Sequence, residues 1–184
     1  IAKELYRVTK DGGVVVWVVG DATINGSETG TSFKQALYAK DIGFNLHDTM
    51  IYEKAGFPNP SNNRYHQVFE YMFIFSKGRP KTFNPLKDRK NQSIGSRKGS
   101  SRRNKNGIII KKDKIITYNE YGMRFNIWNY SIGHNKTTKD KIAYEHPAIF
   151  PEQLAQDHIL SWSNEGDIVY DPFMGSGTTA KMSI

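Results

Sequence analysis

The sequence predicts an α/β fold, a sheet with helices on its faces, and three stretches of the 184 residues carry that prediction. Val14 to Val19, VVVWVV, is apolar at every position, the pattern of a central strand covered on both faces. Residues 14 to 54 then run strand, loop, helix, strand, the alternation from which such sheets are wound. Near the end, DIVYDPFMGSGTT (167 to 179) passes from a branched and aromatic run straight onto two glycines. Sheets of this kind bind ligands beyond the carboxyl ends of their parallel strands.

The elements follow in order. Ile1, Leu5 and Val8 recur at helical spacing and Gly12-Gly13 supply a stop, so residues 1 to 11 are read as a helix end. The first residues hold no apolar leader core and no initiating Met, which reads as a truncated beginning. VVVWVV ends at Gly20-Asp21, and 22 to 30 is a polar loop. Ser32 with Gln35 makes a capping box for a helix whose stripe is Phe33, Ala36 and Leu37, ended by Gly43. His47 to Lys54 is the next strand, and Tyr71 to Ser76 follows a Pro- and Asn-rich loop without an intervening helix, so it runs antiparallel. The loops at 20–21, 55–66 and 174–178 are expected to converge.

After Lys77 the composition changes. Between Lys77 and Lys114 stand 14 of the 26 basic residues against Asp88 and Asp113, a local +12; the other 12 basic residues face 16 acidic ones, or −4. Basicity confined to one segment points to a polyanionic partner. The segment is too poor in large aliphatic residues to build a core, although Ile108–Ile110 and Ile115–Tyr118 suggest a hairpin around Lys111–Lys114. Residues 80 to 144 are therefore read as an insertion outside the sheet. Beyond it, Pro151 suits a first helical position, with Leu154, Ala155, Ile159 and Trp162 as the buried stripe. Ile168, Val169 and Tyr170 read as a short buried strand; Gly175 and Gly177 let the backbone approach a ligand, and Thr178 and Thr179 cap a new helix. Cysteine is absent, which fits a cytoplasmic protein and excludes thiolate chemistry; the five histidines lack metal-ligand spacing.

Together, GGVVVWVVGD, EYMFIFSKG, HPAIFPEQLA and DPFMGSGTT resemble the permuted, β-type DNA amino-methyltransferases, enzymes that use S-adenosylmethionine (SAM) to methylate adenine N6 or cytosine N4. The resemblance covers nearly the whole chain. It implies an incomplete Rossmann-like SAM-dependent methyltransferase sheet. Residues 1–79 would be part of the catalytic half, 80–144 the basic target-recognition region and 145–184 part of the SAM half. Carried over residue by residue, Asp171, Phe173, Gly175, Gly177 and Thr178 contact SAM. His146, Pro147, Ala148, Phe150 and Pro151 wall its methionine end, and Asn126 and Trp128 join the pocket. Double-stranded DNA is the implied partner, through Arg89, Lys90, Arg97, Lys98, Arg102, Arg103 and Lys105. Tyr65 or Phe57 is a candidate to line a flipped base.

One departure stands out: the family's [Asp/Asn/Ser]-Pro-Pro-[Tyr/Phe/Trp] signature is missing, since the chain has no Pro-Pro. That motif and the acidic residue for the SAM ribose are expected outside these residues, leaving the piece inactive alone. The plainer readings are a structural loop for Gly-x-Gly, a solvated linker for the basic run, turn capping for His146, and loop hydrogen bonding for Asp21, Asn59, Arg64 and Tyr65. A phosphate loop would need Lys-Ser or Lys-Thr after its last glycine, whereas Gly177 is followed by Thr-Thr. A noncatalytic nucleic-acid-binding remnant and an RNA or protein methyltransferase are the alternative functions.

Overall fold

The computed structural model describes the backbone of residues 1–56, 60–133, 135–146 and 149–184, and within these the side chains of all but Arg97, Lys98, Ser100, Lys112, Asp113, Lys114 and Ile142. Phe57, Asn59, Pro147 and Ala148 lie outside the described residues. The chain forms α1 (Ala2–Val8), β1 (Val14–Val19), β2 (Thr23–Ile24), β3 (Ser27–Glu28), α2 (Thr31–Asp41), β4 (Asn45–Lys54), β5 (Phe69–Ser76), β6 (Arg89–Lys90), β7 (Gly95–Arg103), β8 (Ile109–Tyr118), β9 (Tyr121–Gly122), β10 (Ile127–Tyr130), α3 (Glu152–Trp162) and α4 (Thr178–Met182). It divides into two compact units, Ile1–Asn84 with Asn126–Ile184, and Pro85–Phe125.

The first unit holds a sheet in the order β1-β5-β4-β10. β5 runs antiparallel to both β1 and β4, as its position after a helix-free loop predicts, and β10 runs parallel to β4. Alternation along β5 builds two interfaces. Tyr71, Phe73 and Phe75 pack with Ala36, Ala39 and Phe44 beside Leu5 and Tyr6, so α1 and α2 cover that face. Met72 and Ile74 point the other way and are fully buried. His158 of α3 meets Met72 there, with 3.1 Å between Nε2 and Sδ. Shortening Met72 or Ile74 to Ala is worth about 2–5 kcal/mol at such sites.

The sheet corrects several sequence expectations. β1 is an edge strand, paired only with β5 among the described residues. Apolar side chains on both faces report what covers a strand and say nothing about its edges. Ile127–Tyr130, grouped by composition with the insertion, is a sheet strand because Ile127, Trp128, Asn129 and Tyr130 pair with Ile51, Tyr52, Glu53 and Lys54. Ile168–Tyr170 has no strand partner among the described residues, and Ile168 and Tyr170 are exposed at 83% and 67%. Branched residues favour a strand only where a neighbouring edge accepts their hydrogen bonds.

Helix α2 is capped from outside, not by a Ser32–Gln35 box. The Asp21 carboxylate accepts from Ser32 N at 3.1 Å, from Thr31 Oγ1 at 2.8 Å and from the Ser32 hydroxyl. Those bonds, that from the Ser32 hydroxyl foremost, hold the Asp21 carboxyl well below the usual carboxylate range. Gln35 instead accepts from Trp17 Nε1 at 2.7 Å. The helix buries Ser32, Ala36 and Ala39, while Phe33 and Leu37 are half exposed or more. Small residues let it sit close on the aromatic side chains of β5. Inside the polar loop, β2 and β3 pair across Asn25-Gly26, both at positive φ, the favoured two-residue hairpin turn.

In the second unit β7 and β8 form one long antiparallel hairpin. The turn is Asn104–Gly107, not Lys111–Lys114: Asn104 Oδ1 accepts from Asn106 N and Ile108 N, each at 2.9 Å. The lysine cluster is therefore strand. Between Lys98 and Ser100 the register shifts, where Gly99 adopts φ 80. β6 pairs with β9, and Arg124 and Asp88 are joined by a salt bridge.

Candidate cofactor and DNA sites

The glycine turn is built by its own aspartate. Asp171 Oδ1 accepts from Phe173 N at 2.8 Å and Oδ2 from Thr179 Oγ1 at 2.6 Å, so the carboxylate ties the turn's entrance to the first residues of α4. Gly177 stands at the N-cap with φ 83, and a methyl group placed on it would meet nothing within 4 Å among the described residues. Gly175, at φ 52, would carry its methyl group to within 3.1 Å of the His146 ring. Glycine is required at both positions on conformational grounds, and the space above Gly177 is open.

His146 and Gly175 come from two motifs 29 residues apart, and the structure brings them into contact. An ionic clasp holds the two segments together. Lys181 Nζ of α4 donates to Glu152 Oε1 at 2.7 Å, and the Thr138 hydroxyl donates to the same oxygen. Burial would raise the Glu152 carboxyl, but the bonds from Lys181 and Thr138 outweigh it and hold it low; the bond to Glu152 correspondingly raises Lys181. Nothing in the spacing of Thr138, Glu152 and Lys181 announced this clasp, because each side chain is ordinary for its own segment.

The remaining SAM candidates are distributed as follows. Phe150 is half-buried and Pro151 is buried, standing at the N-cap of α3 one residue before the position expected for it. Thr178 is buried with its hydroxyl 3.2 Å from that of Ser176. Phe173 and Met174 are exposed at 57% and 50%, although Phe173 meets Trp17 of β1 edge-on at 6.0 Å. Asn126 Nδ2 donates to the Thr49 carbonyl, and Trp128 is buried with its ring 4.6 Å from that of His158. These contacts tie Asn126 and Trp128 to β4 and α3. Arg64 of the loop after β4 meets the β2–β3 hairpin that follows Asp21: Nη2 donates to the Gly26 carbonyl at 2.8 Å and Nη1 to Thr23 Oγ1 at 3.3 Å. Tyr65 is fully exposed.

The buried face of α3 departs from its apolar stripe. Leu154 and Ala155 are buried as expected, but Asp157, His158 and Ser161 complete the face while Ile159 and Trp162 are only partly covered. Asp157 is satisfied by the Tyr130 hydroxyl at 2.7 Å and Gln153 Nε2 at 2.7 Å. Burial holds His158 down at about 4, against a weaker upward pull from Asp157.

Of the basic candidates, Arg89 is half-buried, donating to the Met123 carbonyl at 3.0 Å with its guanidinium 4.4 Å over Phe125. Lys90, Arg102, Arg103 and Lys105 are exposed. Arg97 and Lys98 occupy β7 opposite Ile116 and Ile115, their side chains lying outside the described set. A cleft of ≈ 730 Å³ beside β6 is lined by Arg89, Lys90, Gln92 and Phe125 among others.

An N6/N4 methyltransferase family model, described as DNA methylase, matches residues 1–184. The chain belongs to this family. It is 65% identical over 184 residues to the orphan methyltransferase M.BamHII of Bacillus amyloliquefaciens, and 29% identical over 201 residues to the type II methyltransferase M.MjaI of Methanocaldococcus jannaschii. The alignments take in 99% of this chain in both cases, and 69% and 57% of those relatives' lengths. Among solved structures it is similar to the cytosine-N4-specific PvuII DNA methyltransferase, with TM-score 0.70 at 19% identity over 99% of this chain and 59% of that one. The M1.HpyAVI–SAM complex gives TM-score 0.60 at 21% identity, over 98% and 66%. The fold of the chain is thus the Rossmann-like sheet of these methyltransferases, one of which is solved as a complex with SAM.

The residues present fit that cofactor. Two glycines at positive φ present bare backbone, with open space above Gly177 and exposed apolar side chains at Phe173 and Met174 alongside. No group of three His, Cys, Asp or Glu converges among the described residues.

Proposed function

We propose that this chain supplies the SAM-binding and DNA-contacting parts of an enzyme that methylates the exocyclic amino group of adenine (N6) or cytosine (N4) in double-stranded DNA. The observation that supports the reading is the seating of His146 against Gly175, a contact between the first residue of HPAIFPE and the glycine turn of DPFMGSGT. Bound SAM would supply an electrophilic methyl group on its sulfonium. Gly175 and Gly177 admit the cofactor to the backbone, and Phe173 and Met174 offer apolar surface. His146, Phe150 and Pro151 close one side in this reading, with Asp171 and Thr178 in the turn itself; Asn126 and Trp128 are assigned to the pocket by the family resemblance alone. Asp171 acts by shaping the turn, since its two oxygens are engaged by Phe173 N and Thr179.

The exposed cations Lys90, Arg102, Arg103 and Lys105, with Arg89, Arg97 and Lys98 of the same basic segment, serve the DNA phosphates and bases. No helix among the described residues is long and apolar enough to cross a membrane. A cytoplasmic site of action follows from the DNA substrate. The four residues that hold the target amino group are assigned to sequence outside this chain, which contains no Pro-Pro.

Methyl transfer from labelled SAM tests the proposal. The 184 residues alone should label no DNA, whereas a longer natural protein containing them should yield N6-methyladenine or N4-methylcytosine on nucleoside analysis. Formation of 5-methylcytosine, or labelling of RNA or protein in place of DNA, would overturn it.

A further inference from the structure

We infer that Thr138, Glu152 and Lys181 are positioning residues for SAM, a clasp that sets the affinity for the cofactor by fixing the segment that ends in His146 against the glycine turn. The inference rests on the SAM reading of that turn and goes beyond it, since that reading assigns none of the three to the cofactor. His146 packs on Gly175, and a glycine offers a ring only backbone to rest on. The register of that contact is therefore set by its flanks. Glu152 stands six residues beyond His146 and Lys181 six beyond Gly175, while Thr138 lies eight before His146. Lys181 Nζ, at 2.7 Å, and the Thr138 hydroxyl both donate to Oε1 of Glu152, so one oxygen gathers both flanks of the histidine segment and the helix that leaves the turn.

Thr138 is built as a hub. It is buried, its hydroxyl accepts from Asp140 N at 3.0 Å while donating to Glu152, and its carbonyl accepts from the Tyr144 hydroxyl at 2.8 Å. That tyrosine oxygen accepts in turn from Asn135 N at 2.7 Å, and the neighbouring Thr137 carbonyl accepts from Glu152 N at 3.1 Å. The backbone that reaches His146 is thus folded on Thr138 and pinned to the first turn of α3, where the helix dipole also favours the Glu152 carboxylate. The Glu152 and Lys181 side chains are 23% and 45% exposed, and an ion pair this open contributes little when it stands alone. Here the carboxylate also carries the bond from a buried hydroxyl, and removing either donor leaves it partly covered and short of a partner. A loosened clasp lets the His146 ring and the turn separate, which weakens the cofactor's contacts before it weakens the fold.

The test is calorimetric titration of SAM into the full chain, with urea unfolding beside it. Thr138→Val and Lys181→Met should each weaken SAM binding on the order of tenfold. Thr138→Ser and Lys181→Arg keep the donors and should restore it. The double variant Thr138→Val/Lys181→Met should lose far less than the product of the two, because both act through one oxygen; losses that multiply would overturn the single clasp. Lys77→Met is the control. It removes bonds of the same kind to the Tyr6 and Thr9 carbonyls, and should lower urea stability while leaving SAM affinity unchanged. Equal SAM losses in all three single variants would reduce the effect to stability and overturn the positioning role. Variants at Thr138 and Lys181 that bind SAM as the natural chain does would overturn it too, leaving the cofactor reading intact; a natural chain that takes up no SAM overturns both.

Discussion

Replacing Gly177 by Ala separates a glycine needed for the backbone from one needed for a ligand. Gly177 and Gly166 have nearly the same φ, 83 and 82, and a methyl group at either meets nothing within 4 Å among the described residues. The left-handed conformation costs an L-residue about 1–2 kcal/mol, so Gly177→Ala and Gly166→Ala should destabilise the fold equally by that amount. Their effects on SAM differ. At Gly177 the methyl group enters the open space assigned to the cofactor, and losing even about 1.4 kcal/mol of contact there weakens binding tenfold. Urea unfolding gives the stability cost of each variant and calorimetric titration its SAM affinity. Equal stability losses with a SAM defect confined to Gly177→Ala are expected. Two variants that bind SAM alike would refute the assignment of that space.

Three further outcomes follow from the same geometry. His158 takes a proton near pH 6.5 when unfolded but is held at about 4 by burial, so its neutral form stabilises the fold fully above pH 6.5 and progressively less down to pH 4. The loss amounts to about 3 kcal/mol, and His158→Leu should flatten the pH dependence of urea midpoints across that window; an unchanged slope would contradict the account. Tyr130→Phe removes a donor to the buried Asp157 carboxylate and should cost about 1–3 kcal/mol by urea unfolding, with no loss meaning that the bond is not formed in solution. Asp171→Ala frees Phe173 N and the Thr179 hydroxyl, so SAM affinity should fall while urea stability drops only about 1–2 kcal/mol; a variant with natural affinity would show that the turn holds its shape unaided.

What was legible in the sequence was whatever depends on neighbours in the chain. VVVWVV, the run to Lys54 and YMFIFS became β1, β4 and β5, and the absent helix before β5 correctly implied its direction. The turn glycines took the positive φ that their motif requires. Misreadings arose where a distant partner decides the outcome. Asp21 displaced the local Ser32–Gln35 box as the cap of α2, and β4 drew Ile127–Tyr130 out of the basic region into the sheet. In the hairpin the misleading signal was charge. Lys111–Lys114 suggested a turn, while the stronger turn chemistry, Asn104 to Gly107, stood a few residues earlier and was readable. Asn25-Gly26 was a second legible turn of the same kind.

The clasp of Lys181, Glu152 and Thr138 was beyond the sequence, because ion pairs between segments leave no periodic trace. Its position explains how the site is held. Glu152 begins α3 and Lys181 lies in α4, so the bond draws the helix after the glycine turn toward the segment that carries His146.

The central claim, that the turn from Asp171 to Thr178 and the His146 segment form one SAM site, is tested most directly by titrating SAM into the isotopically labelled chain and following backbone amide resonances. The account predicts saturable shifts concentrated at Phe173, Gly175, Gly177 and His146, with Gly166 and the β7–β8 hairpin unmoved. Shifts that centre elsewhere, or amides of the glycine turn that stay still while SAM binds, would contradict it.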